Sequence, residues 1–327
     1  MSCDLTHICY REAPASRYTG TLFPSAGIKR AAGSPGAVKG LFAAIAGMLI
    51  LNLFVHPAIL SAQQADSIAQ NAAALDWEKV RLDQGVWWLS YRGDDLNEAR
   101  LSINVIEVWM DSTTVQVELA WVQDELQKTS DLAKDNGGFA AINGSFFDMR
   151  AGGSVVFMKH RGEVITGGNP TSGTYTENGA IAWNPNSDPL ITAKPADGWQ
   201  SLTHESVLTS GPLLISDSDL QSFASDPFNQ NRHPRTAAAF THDRRLLLVT
   251  VDGRSFQSYG MTIPELALFF QQMGARDALN LDGGGSTAMW IEGATENGIV
   301  SYPSDNLEFD HEGERGVSNA LMLIRGN

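Results

Sequence analysis

Hydrophobic and polar positions fall into three regimes along the chain. The stretch "GLFAAIAGMLILNLFVHPAILSAQQA" follows Lys39 and carries no charge until Asp66, and its apolar core, Leu41 to Val55, has the length of a signal-peptide core. Pro57 interrupts it short of a bilayer span of roughly 20 residues. Small residues at Ser61 and Ala62 suit signal peptidase. Residues 1–62 therefore read as an export signal, with an uncleaved membrane anchor as the alternative. The basic segment ahead of the core is longer than a signal needs. Initiation at Val38 gives a compact signal ending at Ala62, which makes residues 1–37 untranslated sequence. Residues 63–85, rich in Ala and Gln, read as a linker running into a short helix.

From Val86 the period changes. "VWWLSYR", "RLSINVIEVWM" and "TTVQVELAWV" alternate in part and predict strands. "KTSDLAKDNGG" predicts a short helix capped near Ser130 or Asp131 and stopped by Gly137 and Gly138. The apolar "FAAI" then runs into "NGSFFD". "RTAAAF" and "LLLVTVDGR" predict a hairpin around the charged turn "THDRR". The clearest helix follows: Thr262 and Glu265 form a capping box, Ile263, Leu266, Phe270 and Met273 share a face, and Gly274 stops it. "DALNL" is a strand that delivers "DGGGST". Runs of strands mixed with few helices predict an α+β domain over residues 86–327, a mixed, largely antiparallel sheet flanked by helices in a single domain.

Charge narrows the partners. The net charge is −14, with +3 on residues 1–62 and so −17 on the remainder, which excludes a nucleic-acid binder built on a basic stripe. Both cysteines, Cys3 and Cys9, lie at the N-terminus, so no thiol nucleophile, disulfide or Cys-His metal site is expected in the domain. Seven histidines are scattered without metal spacing.

Candidate chemistry gathers at strand ends. Gly283-Gly284-Gly285 lacks the lysine of a phosphate loop, and "AMWIEG" behind it reads as a strand, which disfavours a nucleophile elbow at Ser286. Asp305, Asp310 and His311 follow Ser286 in hydrolase order, so a serine hydrolase is the weaker alternative. Three glycines flanked by Asn280, Asp282, Ser286 and Thr287 exceed what a plain turn needs and suit backbone contact with an anion or a sugar hydroxyl. Asn143 and Asp148 flank a similar turn, and Asp252 and Arg254 end another apolar strand. Arg235 stands before an apolar run, and Glu314, Arg315 and Asn319 border the last strand. Asp148, Asp252 and Asp282 can supply oxygen ligands to calcium or magnesium, though no cofactor is required by the pattern.

In series, "AAINGSFFD", "SGPLLI", "RTAAAFTHDRRLLLVTVDGR", "TIPELALFFQQMG", "DALNLDGGGSTAM" and "ERGVSNAL" resemble the phosphodiester glycosidase family over roughly Val86 to Ile324. The family often has a second glycine where this chain has Ser145. The resemblance implies an exported hydrolase, periplasmic or extracellular, that cleaves a sugar–phosphate linkage of a glycan or envelope polysaccharide. It implies Asp282 as the central carboxylate with Glu314 or Asp252 as acid/base partner. Arg235, Arg254 and Arg315 would take the phosphate with Gly283, Gly284 and Gly285, while Asn143 and Asn280 orient sugar hydroxyls, with Asp148, Ser286, Thr287 and Asn319 at the same site. A non-catalytic envelope glycan-binding protein is the alternative of a different class.

Overall fold

The computed structural model describes residues 72–168, 176–185 and 187–326. The expected export segment lies outside them, as does the start of the linker. The rest of that linker joins the fold: a single 3-10 turn at Ala72–Ala74 leads to a strand at Glu78–Asp83, which pairs with Val86–Gly93.

The largest sheet has eight strands. From edge to edge they are Glu78–Asp83, Val86–Gly93, Leu101–Trp109, Arg245–Val251, Arg235–Thr241, Ala275–Asn280, Leu213–Ser216 and Asp219–Leu220. A four-stranded sheet orders Met289–Ile291, Ala140–Asn143, Asn319–Ile324 and Gln116–Trp121, and a five-stranded sheet covers residues between 157 and 210. Every strand pairing among the described residues is antiparallel, so the sheets are not mixed. Helices are few: α1 (Thr129–Asp135), the single turn α2 (Pro227–Gln230) and α3 (Ile263–Gln272). The α+β class holds, with modest helical flanking.

The layers explain the continuous apolar runs. Leu246 and Leu248 enter one core with Ala238, Phe240, Ile142 and Leu321, between the eight- and four-stranded sheets. Leu247, Val249 and Val251 face the other way, with Ala237 and Ala239, onto Leu266, Phe269 and Phe270 of α3. A strand buried on both faces reads as unbroken hydrophobicity rather than alternation. The far face of the four-stranded sheet (Ala141, Ala320, Met322) packs on Leu132 and Ala133 of α1. The order is helix, sheet, sheet, helix.

Both predicted helices form, with different caps. The Thr262 hydroxyl accepts from the Glu265 N–H at 3.2 Å and Glu265 accepts from the Thr262 N–H at 2.9 Å, closing the capping box. No side chain of its own segment caps α1. Glu314, from 184 residues away, accepts from the Ser130 N–H and hydroxyl, each at 2.7 Å.

Candidate active site

Strand ends of the eight- and four-stranded sheets meet at Asp282. Its N–H donates to the Gly144 carbonyl at 3.0 Å, and its carbonyl accepts from Asn143 Nδ2 at 2.7 Å. One residue earlier, the Leu281 N–H donates to the Thr236 carbonyl at 2.8 Å. The backbone of Asp282 is thus tied to both sheets, leaving its carboxyl as the functional end. Asp282 as a residue is half-buried, between the fully buried Leu281 and the half-buried Gly283 and Gly284. Burial pushes its carboxyl up to about 6, opposed by the Ser286 hydroxyl, the Arg315 charge, the Gly283 N–H and the Arg254 charge. The Ser286 hydroxyl leans on the carboxyl without completing a well-formed hydrogen bond.

Each glycine of the turn meets a separate demand. A β-carbon on Gly283 would stand 2.7 Å from the Pro234 carbonyl oxygen. Gly284 holds φ +63°, and a β-carbon there would stand 2.9 Å from Arg254 Nη2. On Gly285 it would collide with Arg315 Nη2 and stand 2.6 Å from Asp305 Oδ1. The Gly284 N–H is spent on the Pro234 carbonyl at 2.9 Å, so the turn does not offer three free backbone donors. What the glycines do instead is let two guanidinium groups approach the backbone beside Asp282.

Those two differ in freedom. Arg315 is braced: its Nε and Nη2 both donate to Asp305 Oδ1, the Nε at 3.0 Å. Arg254, in a left-handed conformation at φ 60°, makes no hydrogen bond or ion pair with the described residues. Arg235 turns inward beneath them, 1% exposed. Its Nε donates to the Met261 carbonyl at 2.8 Å and its Nη2 to the Phe228 and Asn231 carbonyls at 2.7 and 3.1 Å. It has carbonyls but no carboxylate in contact, and burial, with Arg254 nearby, lowers it to about 10. His233 lies in the same field, held below its ordinary range by burial and then by Arg235 and Arg254.

Several predicted roles change. Glu314 does not partner Asp282, because both its oxygens cap α1, and burial raises it. Asp252 is sealed: its carboxylate accepts from the Ser102 hydroxyl at 2.6 Å and the Tyr302 N–H at 2.8 Å, and burial holds it near 6. Asp148 is exposed and accepts from the N–H groups of Arg150 and Ala151 at 2.7 and 2.9 Å, which close its own turn and lower it. The three aspartates therefore build no shared cation cage, and no trio of His, Cys, Asp or Glu does among the described residues.

The asparagines sit at the predicted place but brace rather than present. Asn143 Oδ1 accepts from the Thr236 hydroxyl at 2.7 Å and the Ala288 N–H at 3.1 Å. Asn280 Nδ2 donates to the Gly211 and Leu281 carbonyls, both at 2.8 Å. Asn319 Oδ1 accepts from the Ser145 N–H at 2.7 Å. All three are fully buried. Near them Ser145 Oγ, Asn280 Oδ1, Ser286 Oγ and Thr287 Oγ1 are buried with no hydrogen-bond partner. The Gly284–Ser286 turn leads into the strand Met289–Ile291, and His311 Nδ1 is engaged with the Ser301 carbonyl at 2.8 Å, so the strand–turn–helix of a serine elbow is absent.

Sequence reasoning missed Asp305 as the brace of Arg315, the Pro234 carbonyl under the glycines, and His233. Only Asp305 had a sequence signal, an acid ten residues before an arginine already singled out. Two grooves of ≈ 610 and ≈ 510 Å³ lie elsewhere, one beside Trp88 and Tyr302 and the other beside Glu118 and Trp183; neither includes Asp282.

Similarity to known proteins gives the family of the chain. The chain is 34% identical over 106 residues to the SPbeta prophage-derived uncharacterized protein YomE of Bacillus subtilis, covering 28% of this chain and 16% of that protein. It is 27% identical over 194 residues to the N-acetylglucosamine-1-phosphodiester alpha-N-acetylglucosaminidase of Bos taurus, covering 54% of this chain and 34% of that one. The chain thus spans no more than about a third of either relative. The catalytic domain of the zebrafish N-acetylglucosamine-1-phosphodiester alpha-N-acetylglucosaminidase, auto-inhibited by its pro-peptide, superposes with a TM-score of 0.57 at 17% identity, over 77% of this chain and 88% of that one. The family model for phosphodiester glycosidases matches residues 136–324, from the end of α1 to the last strand and so across every residue of the Asp282 recess. On that match the chain belongs to the phosphodiester glycosidase family.

Proposed function

We propose that this protein hydrolyses a glycosyl phosphodiester outside the cytoplasm, with Asp282 as the ionised carboxylate at the anomeric carbon. The observation that carries the reading is the positive charge of Arg254 acting on the Asp282 carboxyl while the Arg254 guanidinium makes no hydrogen bond or ion pair among the described residues. Cleavage adds water at the anomeric carbon and breaks its bond to the phosphate oxygen, so positive charge grows on the sugar while negative charge collects on the departing phosphate monoester. A carboxylate facing the first and arginines facing the second match that separation. Arg254 and Arg315 are assigned to the phosphate, with Arg235 adding positive potential from below. The leaving group departs as a phosphate monoester, so the engagement of Glu314 and Asp252 elsewhere does not disable the reaction. The partnerless oxygen of Thr287 is assigned to a sugar hydroxyl, since buried polar groups in folded proteins are ordinarily paired.

The test compares turnover of a glycosyl phosphodiester with that of the aryl glycoside of the same sugar. The phosphodiester should be preferred, and Arg254→Ala should erase the preference. Glycan binding without turnover, unchanged in Asp282→Asn, would instead assign a non-catalytic envelope protein. Export is the second part of the reading: N-terminal sequencing of protein from its native host should find a start near Gln63, and peptides from residues 1–30 would refute it.

A further inference from the structure

Exposed apolar side chains are unevenly placed. Among the described residues ten large hydrophobic side chains are exposed; two of them touch arginines of the candidate site and three more lie within five residues of Arg254 or of the Asp305 that braces Arg315. The Phe228 carbonyl accepts from Arg235, whose guanidinium lies 5.0 Å from the Phe228 ring. Phe256 and Tyr259 belong to the loop that Arg254 begins, and Phe256 is 71% exposed with Arg100 at 4.0 Å from its ring. Met149 Sδ lies 3.9 Å from Arg315 Nη1. Leu307, two residues past the Asp305 that braces Arg315, is 88% exposed and held at φ 65°, an unfavourable backbone for a leucine. Scattered surface hydrophobes need no explanation, but exposed ones that recur on the segments carrying Arg254 and Arg315 point to a binding surface.

We propose that the substrate phosphate carries a long hydrocarbon chain as its second ester, and that Met149, Phe228, Phe256, Tyr259 and Leu307 receive this chain while the arginines hold the phosphate. The inference rests on the phosphodiester reading and names the side of the substrate away from the sugar. Chemistry favours a chain over a second sugar ring. Sugar stacking uses open aromatic faces, whereas Met149 and Leu307 present none and Phe256 has Arg100 against its ring. Cations beside apolar side chains are the complement of an anionic head on an apolar tail.

Binding of n-decyl phosphate and methyl phosphate below the micelle threshold, measured calorimetrically on the intact protein, tests this without knowing the sugar. Decyl phosphate should bind at least ten times tighter. Phe256→Ser with Tyr259→Ser should remove most of that advantage while leaving methyl phosphate unchanged, and Arg254→Ala should weaken both. Equal binding of the two phosphates overturns the hydrocarbon proposal and leaves the phosphodiester reading standing. Failure of both to bind overturns the phosphodiester reading itself. Decyl phosphate binding indifferent to Arg254→Ala, or vesicle binding that survives that change, would mark mere adhesion to amphiphiles or membrane and sink the proposal.

Discussion

Asp252 and Asp282 both end apolar strands, both precede a glycine, and burial pushes both up to about 6. They are nevertheless opposites. Asp252 has two fixed donors and no exposed surface, and it locks the Tyr302 segment to the strand Leu101–Trp109. Asp282 has its backbone locked and keeps some exposed surface, with the charges of Arg315 and Arg254 acting on its carboxyl. A perturbed carboxyl marks a catalyst only when it also has somewhere to act.

Replacing each aspartate by asparagine should separate them most sharply. Asp282→Asn is expected to lower kcat/KM by about 10³-fold or more without loss of thermal stability. Asp252→Asn should retain most activity at 25 °C but unfold several degrees earlier, because an amide cannot accept from both donors. Similar activity in the two variants would end the distinction. The sign of the pH effect follows from a folded value above the unfolded 3.8. The stabilisation from protonated Asp252 is full below about pH 4 and lost as pH rises through about 6, up to about 3 kcal/mol. Wild type should therefore gain on Asp252→Asn as the solution is acidified from pH 7 to 4, in denaturant titrations at each pH.

Arg254→Ala should cost about 10- to 100-fold in kcat/KM on a phosphodiester and little on an aryl glycoside, since one charge-assisted contact is lost. Its melting temperature should hold or rise, because Arg235 is relieved of a like charge. A third measurement follows the pH profile. If ionised Asp282 is the active form, kcat/KM falls about tenfold per unit below about pH 6 and is level above it; a profile that rises on acidification would reverse its role. The smallest effect is expected from Gly285→Ala, a loss of about fivefold, because the added methyl displaces side-chain ends, those of Arg315 and Asp305, and no backbone. Unfolding of this variant would show that the turn, not the guanidinium, is what Gly285 protects.

How far the sequence was legible follows from the range of each interaction. The box of Thr262 and Glu265 spans three residues, and it formed as read. The Glu314 cap on Ser130 spans 184 residues, so it looked like a spare carboxylate beside an arginine. Asn143, Asn280 and Asn319 were placed at the right ends of the right strands. Their bracing was not legible because a strand end fixes where a side chain starts, while the neighbours that absorb its donors come from other sheets; Asn280 Oδ1 alone stays without a partner. Arg235 was misread for the same reason: its strand starts at the recess but its guanidinium returns to the Phe228 and Asn231 carbonyls. The run of three glycines was the most informative signal, because at three successive positions a β-carbon would stand within 3 Å of a neighbour.

The lacing of Asp282 to Gly144 and Asn143 bears on the time scale of the site. A segment with three glycines would ordinarily wander among many backbone states, and each arriving ligand would have to freeze them. Here the amides of Asp282, Gly284, Ser286 and Thr287 all donate to carbonyls, so they should exchange with solvent deuterium as slowly as the strands around them. The ordering is completed once, during folding, and need not be repeated at each encounter with a ligand.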